Sequence, residues 1–173
     1  MAPALCCQSG GGKGVVTDTA LRQLKTDLGL HIPAPGSLGR AFALALCGGV
    51  LVAWFIGSLA PTRSAVTGLL LLSLVLWQPL VEEFLFRGVI QGLLLGTTLG
   101  SAGRWGLTAA NLVTSLVFVL VHFINQPAIW ALGVFFPSML FGLFRDRTGS
   151  IWPPIALHVL FNGAFFAPLL AMI

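Results

Sequence analysis

The sequence predicts an all-α, polytopic integral membrane protein, a helical bundle with about five transmembrane helices. Two observations predict this fold. Hydrophobic residues make up 57% of the 173 residues and charged residues only 8%, whereas a soluble domain carries about 25% charged residues. The apolar residues are also grouped into long uncharged segments, and a helix of about 20 such residues crosses a hydrocarbon core of about 30 Å.

The N-terminal part of the chain differs from the rest. Residues 1–16 are rich in glycine and are expected to be disordered. The segment Asp18–Leu28 is amphipathic and precedes Gly29, so we expect a short helix that lies on the membrane surface or forms a solvated linker. Residues 1–40 are therefore predicted to be a cytoplasmic segment, and residues 41–173 a single transmembrane domain.

Five apolar segments in the remaining chain are predicted to span the membrane: Ala41–Ala60, Val66–Leu95, Leu107–Phe123, Ala128–Phe144 and Ile151–Ile173. They are separated by short polar turns, among them a loop over Gly96–Gly106 and a charged turn over Arg145–Gly149. In the second segment, Pro79 should bend the helix and free a backbone carbonyl, because proline has no N–H group. Ser150 is expected to cap the last helix.

The basic residues predict the orientation. With the N-terminus in the cytoplasm, Arg63 alone would be exported, and a larger set would remain inside: Lys13, Arg22, Lys25, Arg40, Arg104, Arg145 and Arg147. The expected location is the inner cell membrane, with several crossings. The net charge of +4 is modest and dispersed, so the lipid bilayer is an expected partner and nucleic acid is not.

An acidic pair, Glu82 and Glu83, lies within the apolar stretch Trp77–Gly92. A charged side chain at the centre of a bilayer costs about 2.5–3.5 kcal/mol on insertion scales, so such a residue indicates a functional site. In a helix, Glu83 and Arg87 share a face and are predicted to pair. Glu82 points about 100° away and has no such charged partner in its own helix, so we expect it to face the reacting group.

In each of two later segments, a histidine has a second residue of interest one helical turn away. His122 follows Phe118 by one turn, and His158 precedes Asn162 by one turn. A lone histidine or asparagine in a helical bundle more often makes a hydrogen bond between helices. In combination, a carboxylate, two imidazoles and an amide supply the groups that water-mediated amide hydrolysis requires. These groups are a proton acceptor and hydrogen-bond donors to an oxyanion.

A zinc site is the weaker interpretation of the same residues. The sequence has no HExxH motif, and the ligands would come one from each helix. A buried zinc site also needs groups that orient each histidine, and Glu83 is expected to be committed to Arg87. The sequence therefore predicts no metal and no other cofactor.

The three patterns Glu82-Glu83-x-x-x-Arg87, Phe118-x-x-x-His122 and His158-x-x-x-Asn162 resemble the motifs of the CPBP (CAAX protease and bacteriocin-processing) family, the Rce1/ABI-like glutamic-type intramembrane proteases. The resemblance covers about Leu69–Ala167. It implies that the first glutamate and the second motif's histidine activate water, and that the third motif forms the oxyanion site. The implied catalytic residues are Glu82, His122, His158 and Asn162, and the implied supporting residues are Glu83, Arg87 and Phe118.

The resemblance implies an intramembrane endopeptidase that cleaves a membrane-associated protein or peptide near its C-terminus, such as a C-terminal sorting tail. Larger prenyl-protein proteases have more spans before the motifs, so a prenylated CAAX substrate is not implied. The alternative is a non-catalytic CPBP-like immunity or peptide-binding membrane protein. A proton-coupled transporter is a third interpretation, which the lack of an internal repeat disfavours.

Overall fold

A computed structural model describes residues 12–34, 36, 39–59 and 67–170. Within these residues the chain forms seven helices and one small β-hairpin. In chain order they are α1 (Gly12–Asp27), α2 (Gly39–Leu59), α3 (Gly68–Leu95), α4 (Thr98–Ser101), β1 (Gly103–Arg104), β2 (Leu107–Thr108), α5 (Ala109–His122), α6 (Ala128–Thr148) and α7 (Trp152–Leu170). The predicted all-α membrane fold is confirmed, with the hairpin as an addition.

Three helices in the described residues, α2, α3 and α6, are long and apolar enough to cross a membrane. The helix α5 is apolar but shorter, with 14 residues. The five predicted spans correspond to α2, α3, α5, α6 and α7. The number of membrane crossings and the cytoplasmic location of the N-terminus remain predictions.

Three predicted segments differ from the structure. Residues 12–16 belong to α1, so the expected disorder is wrong there, and residues 1–11 lie outside the described residues. The loop predicted over Gly96–Gly106 contains the helix α4 and the tip of the hairpin. The charged turn predicted from Arg145 is helical as far as Thr148, because its residues find hydrogen-bond partners in neighbouring segments. Residues 60–66, which join the first two predicted spans, and the last residues, 171–173, lie outside the described part.

The helix α3 contains two wide, π-helical turns, Ser73–Trp77 and Phe84–Ile90. In these turns the N–H group of Gln78 donates to the carbonyl of Ser73, and that of Gln91 donates to the carbonyl of Phe86. Wide turns of this kind are frequent at functional sites because they open backbone groups to other partners. The acidic pair lies in the short α-helical segment between them.

Helix α7 lies against α2 and is held close by two glycines of α2. A Cβ atom on Gly49 would overlap the ring of Phe161, and one on Gly57 would overlap the backbone of Phe165. Small residues allow such close helix contacts in membranes. The buried apolar core joins α6 and α7 and consists of Phe141, Phe144, Leu157 and Phe161. This packing fixes the position of α7, which carries His158 and Asn162.

One end of the bundle is fastened by Arg145, which is buried at 4% exposure. Its guanidinium donates to the carbonyl of Asp27 at 2.7 Å, to that of Arg87 at 3.1 Å, and to that of Gly149. The backbone N–H group of Ile151 donates to a further carbonyl of the N-terminal segment, that of Gly29. The end of α1 is thereby tied to α3 and to the turn between α6 and α7.

Candidate active site

A buried ion pair lies at the base of the site. The Nε atom of Arg87 is 3.3 Å from Oε2 of Glu83, and both side chains are fully buried. The pairing predicted from the sequence is therefore present. The guanidinium also donates to the carbonyl and the hydroxyl of Ser138 on α6, at 2.9 and 2.8 Å. The contact with Glu83 is electrostatic, since its N–H group does not point at the oxygen well enough for a hydrogen bond.

His158 on α7 contacts both glutamates of α3. Its Nδ1 atom is 2.8 Å from Oε1 of Glu83, and its Nε2 atom is 3.7 Å from Oε2 of Glu82. The ring stacks on Phe141 with a centroid distance of 4.9 Å. The expectation that Glu83 serves Arg87 alone is wrong, because its second oxygen accepts from the imidazole. A carboxylate has two oxygens and can hold both partners.

Glu82 lies at the edge of the cluster, with 18% of its side chain exposed. Its Oε1 atom accepts a hydrogen bond of 2.8 Å from the side-chain amide of Gln78, one turn earlier. Its other oxygen faces His158. Sequence reasoning missed Gln78, although its spacing of four residues from Glu82 would have indicated this contact.

His122 and Phe118 form a second part of the site, on α5. The Nδ1 atom of His122 lies 2.8 Å from the carbonyl oxygen of Phe118. A proton donated through Nδ1 leaves Nε2 as an acceptor. The ring of Phe118 is 2% exposed and lies between the histidines, with centroid distances of 4.3 Å to His122 and 6.2 Å to His158. Within the described residues, no hydrogen bond or ion pair joins His122 to a glutamate.

Asn162 is held by a carbonyl that Pro79 leaves free. Its Nδ2 atom donates to the carbonyl of Leu74 at 2.9 Å. In the wide turn, hydrogen bonds join residues five apart, so the expected donor to Leu74 is residue 79, which is proline and has no N–H group. The predicted free carbonyl is thus present and fixes one N–H of Asn162, and the described residues supply no partner for the other N–H.

This arrangement predicts the outcome of a double-mutant cycle. Asn162→Ala should cost about 1–3 kcal/mol of unfolding free energy, because the Leu74 carbonyl is left without a donor. In a Pro79→Ala background the new backbone N–H can serve that carbonyl, so the same substitution should cost less. Chemical unfolding of the four proteins in detergent measures the coupling. Equal costs in the two backgrounds would contradict the assignment.

A second polar network lies one or two turns along α3 and includes no predicted site residue. The amide of Gln91 donates to the carbonyl of Gly142 at 3.1 Å and to Oδ1 of Asp146 at 2.7 Å. The other carboxylate oxygen of Asp146 accepts from the backbone and the hydroxyl of Thr108. These contacts hold α3, α6 and the start of α5 together beside the site. In the described part of the chain, no three His, Cys, Asp or Glu side chains are arranged to hold a metal ion.

Residues 64–164 match the family described as type II CAAX prenyl endopeptidase Rce1-like. The match covers more than half of the chain. The chain belongs to this family. All seven predicted site residues lie in the matched region, as do most of α3 to α7, whereas α1 and α2 lie outside it.

Part of the chain is also similar to a bacterial protein. An uncharacterized 24.3 kDa protein of Escherichia coli is 31% identical to this chain over 91 residues, which are 53% of this chain and 40% of that protein. The matched part thus spans less than half of the relative's length. No solved structure matches the chain. The Rce1-like family is a protease family, so membership supports a peptidase embedded in a membrane.

Proposed function

We propose that this Rce1-like protein is a glutamate-dependent intramembrane endopeptidase of the inner cell membrane. Its proposed substrate is a membrane-anchored protein or peptide, cut near its C-terminus. One observation carries the proposal. Motif residues from three helices form a single cluster, in which His158 contacts Glu82 and Glu83, and Phe118 contacts both histidines. We assign the transmembrane protease domain to residues 41–173 and a cytoplasmic segment to residues 1–40.

In the proposed reaction, Glu82 and His122 act on one water molecule. The water oxygen attacks the carbonyl carbon of the peptide bond, and its proton moves to the Glu82 carboxylate or to Nε2 of His122. Glu82 suits this role because it is the partly exposed member of the acidic pair and has no arginine partner among the described residues. The amide of Gln78 holds its other oxygen and so limits the rotation of the carboxylate.

The tetrahedral intermediate carries a negative oxygen that needs donors. We assign this role to the free N–H of Asn162 and, when its ring carries two protons, to Nε2 of His158. The intermediate collapses as the C–N bond breaks, and the proton taken from water passes to the leaving amine. Glu83, Arg87 and Phe118 are supporting residues in this scheme, since they fix the ring of His158 and the segment that carries Glu82.

The test is the appearance of new N-termini in membrane proteins. The purified protein is reconstituted into vesicles with the membrane proteins of its host, and new terminal amines are labelled and identified. The wild type should generate new N-termini close to the C-terminal ends of membrane-anchored proteins, and Glu82→Gln should generate none. Asp18→Asn, which changes an exposed acid of α1, is the matched control and should act like the wild type. If none of the three proteins generates new N-termini beyond those in vesicles without the protein, the non-catalytic peptide-binding alternative is favoured.

A further inference from the structure

The hairpin between α4 and α5 ends in an unusual turn. Gly103 pairs with Thr108 and Arg104 pairs with Leu107, so Trp105 and Gly106 form a two-residue loop. Both have positive φ angles, 62° and 82°. Such turns favour Asn-Gly or Gly-Gly, because a positive φ brings Cβ too close to the backbone. Among the described residues other than glycine, Trp105 alone has a positive φ.

Burial of the side chain does not offset this unfavourable backbone conformation, since the tryptophan is 86% exposed. Its ring lies 6.0 Å from the guanidinium carbon of Arg104. The guanidinium of Arg147, at the end of α6, runs beside the backbone of Gly106. Leu99, in the neighbouring α4, is 82% exposed. The turn therefore presents an exposed aromatic ring near the cation of Arg104, with the exposed cation of Arg147 beside Gly106.

The base of this hairpin is firmly held. The backbone N–H group of Ala109 donates to the carbonyl of Ala102 at 2.8 Å, and Asp146 accepts from both the backbone and the hydroxyl of Thr108. The turn lies where α3 and α6 end and α5 begins, on the side of the bundle that the basic residues assign to the cytoplasm. A rigid base with an exposed tip suits contact with a surface outside the protein.

We propose that this turn is a binding site for anionic phospholipid headgroups of the cytoplasmic leaflet. Tryptophan is enriched at membrane interfaces, where its ring lies among the headgroups. Arginines near such a surface attract anionic lipids. Arg104 and Arg147 would bind the phosphate groups, and the ring of Trp105 would insert between the lipids. This proposal does not depend on proteolysis.

Fluorescence in lipid nanodiscs tests the proposal. The signal of Trp105 is the difference between the wild type and Trp105→Phe. With brominated lipids as quenchers, this signal should be quenched more strongly by phosphatidylglycerol than by phosphatidylcholine, with a preference of about fivefold per arginine at low salt. The preference should decrease as salt is added. Emission typical of water, unquenched by either lipid, or equal quenching by both, would overturn the proposal.

Substitutions of arginines test whether the lipid preference comes from the two arginines at the turn or from any exposed arginine. Arg104→Gln with Arg147→Gln should remove the preference for phosphatidylglycerol, whereas Arg40→Gln, an exposed arginine at the start of α2, should keep it. Loss of the preference in the Arg40 variant alone would contradict the assignment.

Trp105→Asn provides an independent arm. Asn-Gly is the preferred pair for this turn, so the variant should unfold in detergent at the same temperature as the wild type or higher. It should also lose most of the thermal stabilisation that phosphatidylglycerol gives the wild type. Lower stability in detergent would show that the ring stabilises the hairpin itself, and would overturn the proposal.

Discussion

Replacing Arg87 by alanine is expected to destabilise the protein by about 3–5 kcal/mol, because breaking a buried pair leaves an uncompensated charge. Glu83 would then face His158 alone, and the two hydrogen bonds to Ser138 would be lost. The guanidinium also lies 5.0 Å from the centre of the Phe118 ring, and that contact would be lost too. Chemical unfolding in detergent, or the yield of folded protein in the membrane, measures the effect.

Two further variants are needed to interpret this measurement. Arg22→Ala, an exposed arginine of α1, is the matched control and should change the unfolding free energy by less than about 0.5 kcal/mol. The double variant Glu83→Gln with Arg87→Met removes both charges and should recover part of the loss. An Arg87→Ala protein as stable as the Arg22 control would mean that the pair does not stabilise the fold.

Replacing Glu82 by glutamine is expected to lower the rate of hydrolysis by about 10²–10⁴-fold, the contribution that a general acid–base group typically makes. The fold should remain intact, with a change of less than about 1 kcal/mol, because glutamine is nearly isosteric and can still accept from Gln78. The side chain is also partly exposed, unlike that of Glu83. Single-turnover hydrolysis of a substrate identified by its new N-terminus gives the rate.

The comparison of the Glu82→Gln and Arg87→Ala variants tests how the roles are divided between the two glutamates. Glu82→Gln should lose activity and keep stability, whereas Arg87→Ala should lose stability first. If both variants lose folded protein to the same extent, the division of roles between Glu82 and Glu83 is wrong. An active Glu82→Gln protein would remove this residue from the water-activating step.

The local features of the site were predictable from spacing along single helices. The pair of Glu83 and Arg87 follows from their separation of four residues. The free carbonyl near Pro79 follows from the missing N–H group. Both are present. Each depends on one helix and its covalent chemistry, which the sequence contains in full.

Contacts between helices were not predictable in the same way. Nothing in the sequence indicates that Ser138 binds Arg87, or that Arg145 joins the backbone carbonyls of three segments. Arg145 resembles any charged residue of a turn, and its burial depends on how α1, α3 and α6 meet. The hairpin was missed for another reason, since Trp105-Gly106 is not a sequence that favours its turn.

The prediction that hydrolysis needs no metal has lost one of its arguments. Glu83 was expected to be unable to orient a histidine, yet it accepts from Nδ1 of His158. The carbonyl of Phe118 holds Nδ1 of His122 in a similar way. Such contacts also occur around zinc ligands. The remaining argument is that Asn162, one turn from His158, uses its amide as a hydrogen-bond donor, here to a carbonyl, and is better suited to that role than to binding a metal.

The most direct measurement of the glutamate mechanism is therefore the rate of hydrolysis by protein freed of divalent ions. The protein is stripped of metal, its metal content is determined by elemental analysis, and it is assayed on a peptide that carries its substrate's tail. The metal-free protein should keep its rate, whereas Glu82→Gln should lower that rate by about 10²–10⁴-fold. Stoichiometric zinc in the active protein, with activity lost on its removal and restored on its return, would contradict the account.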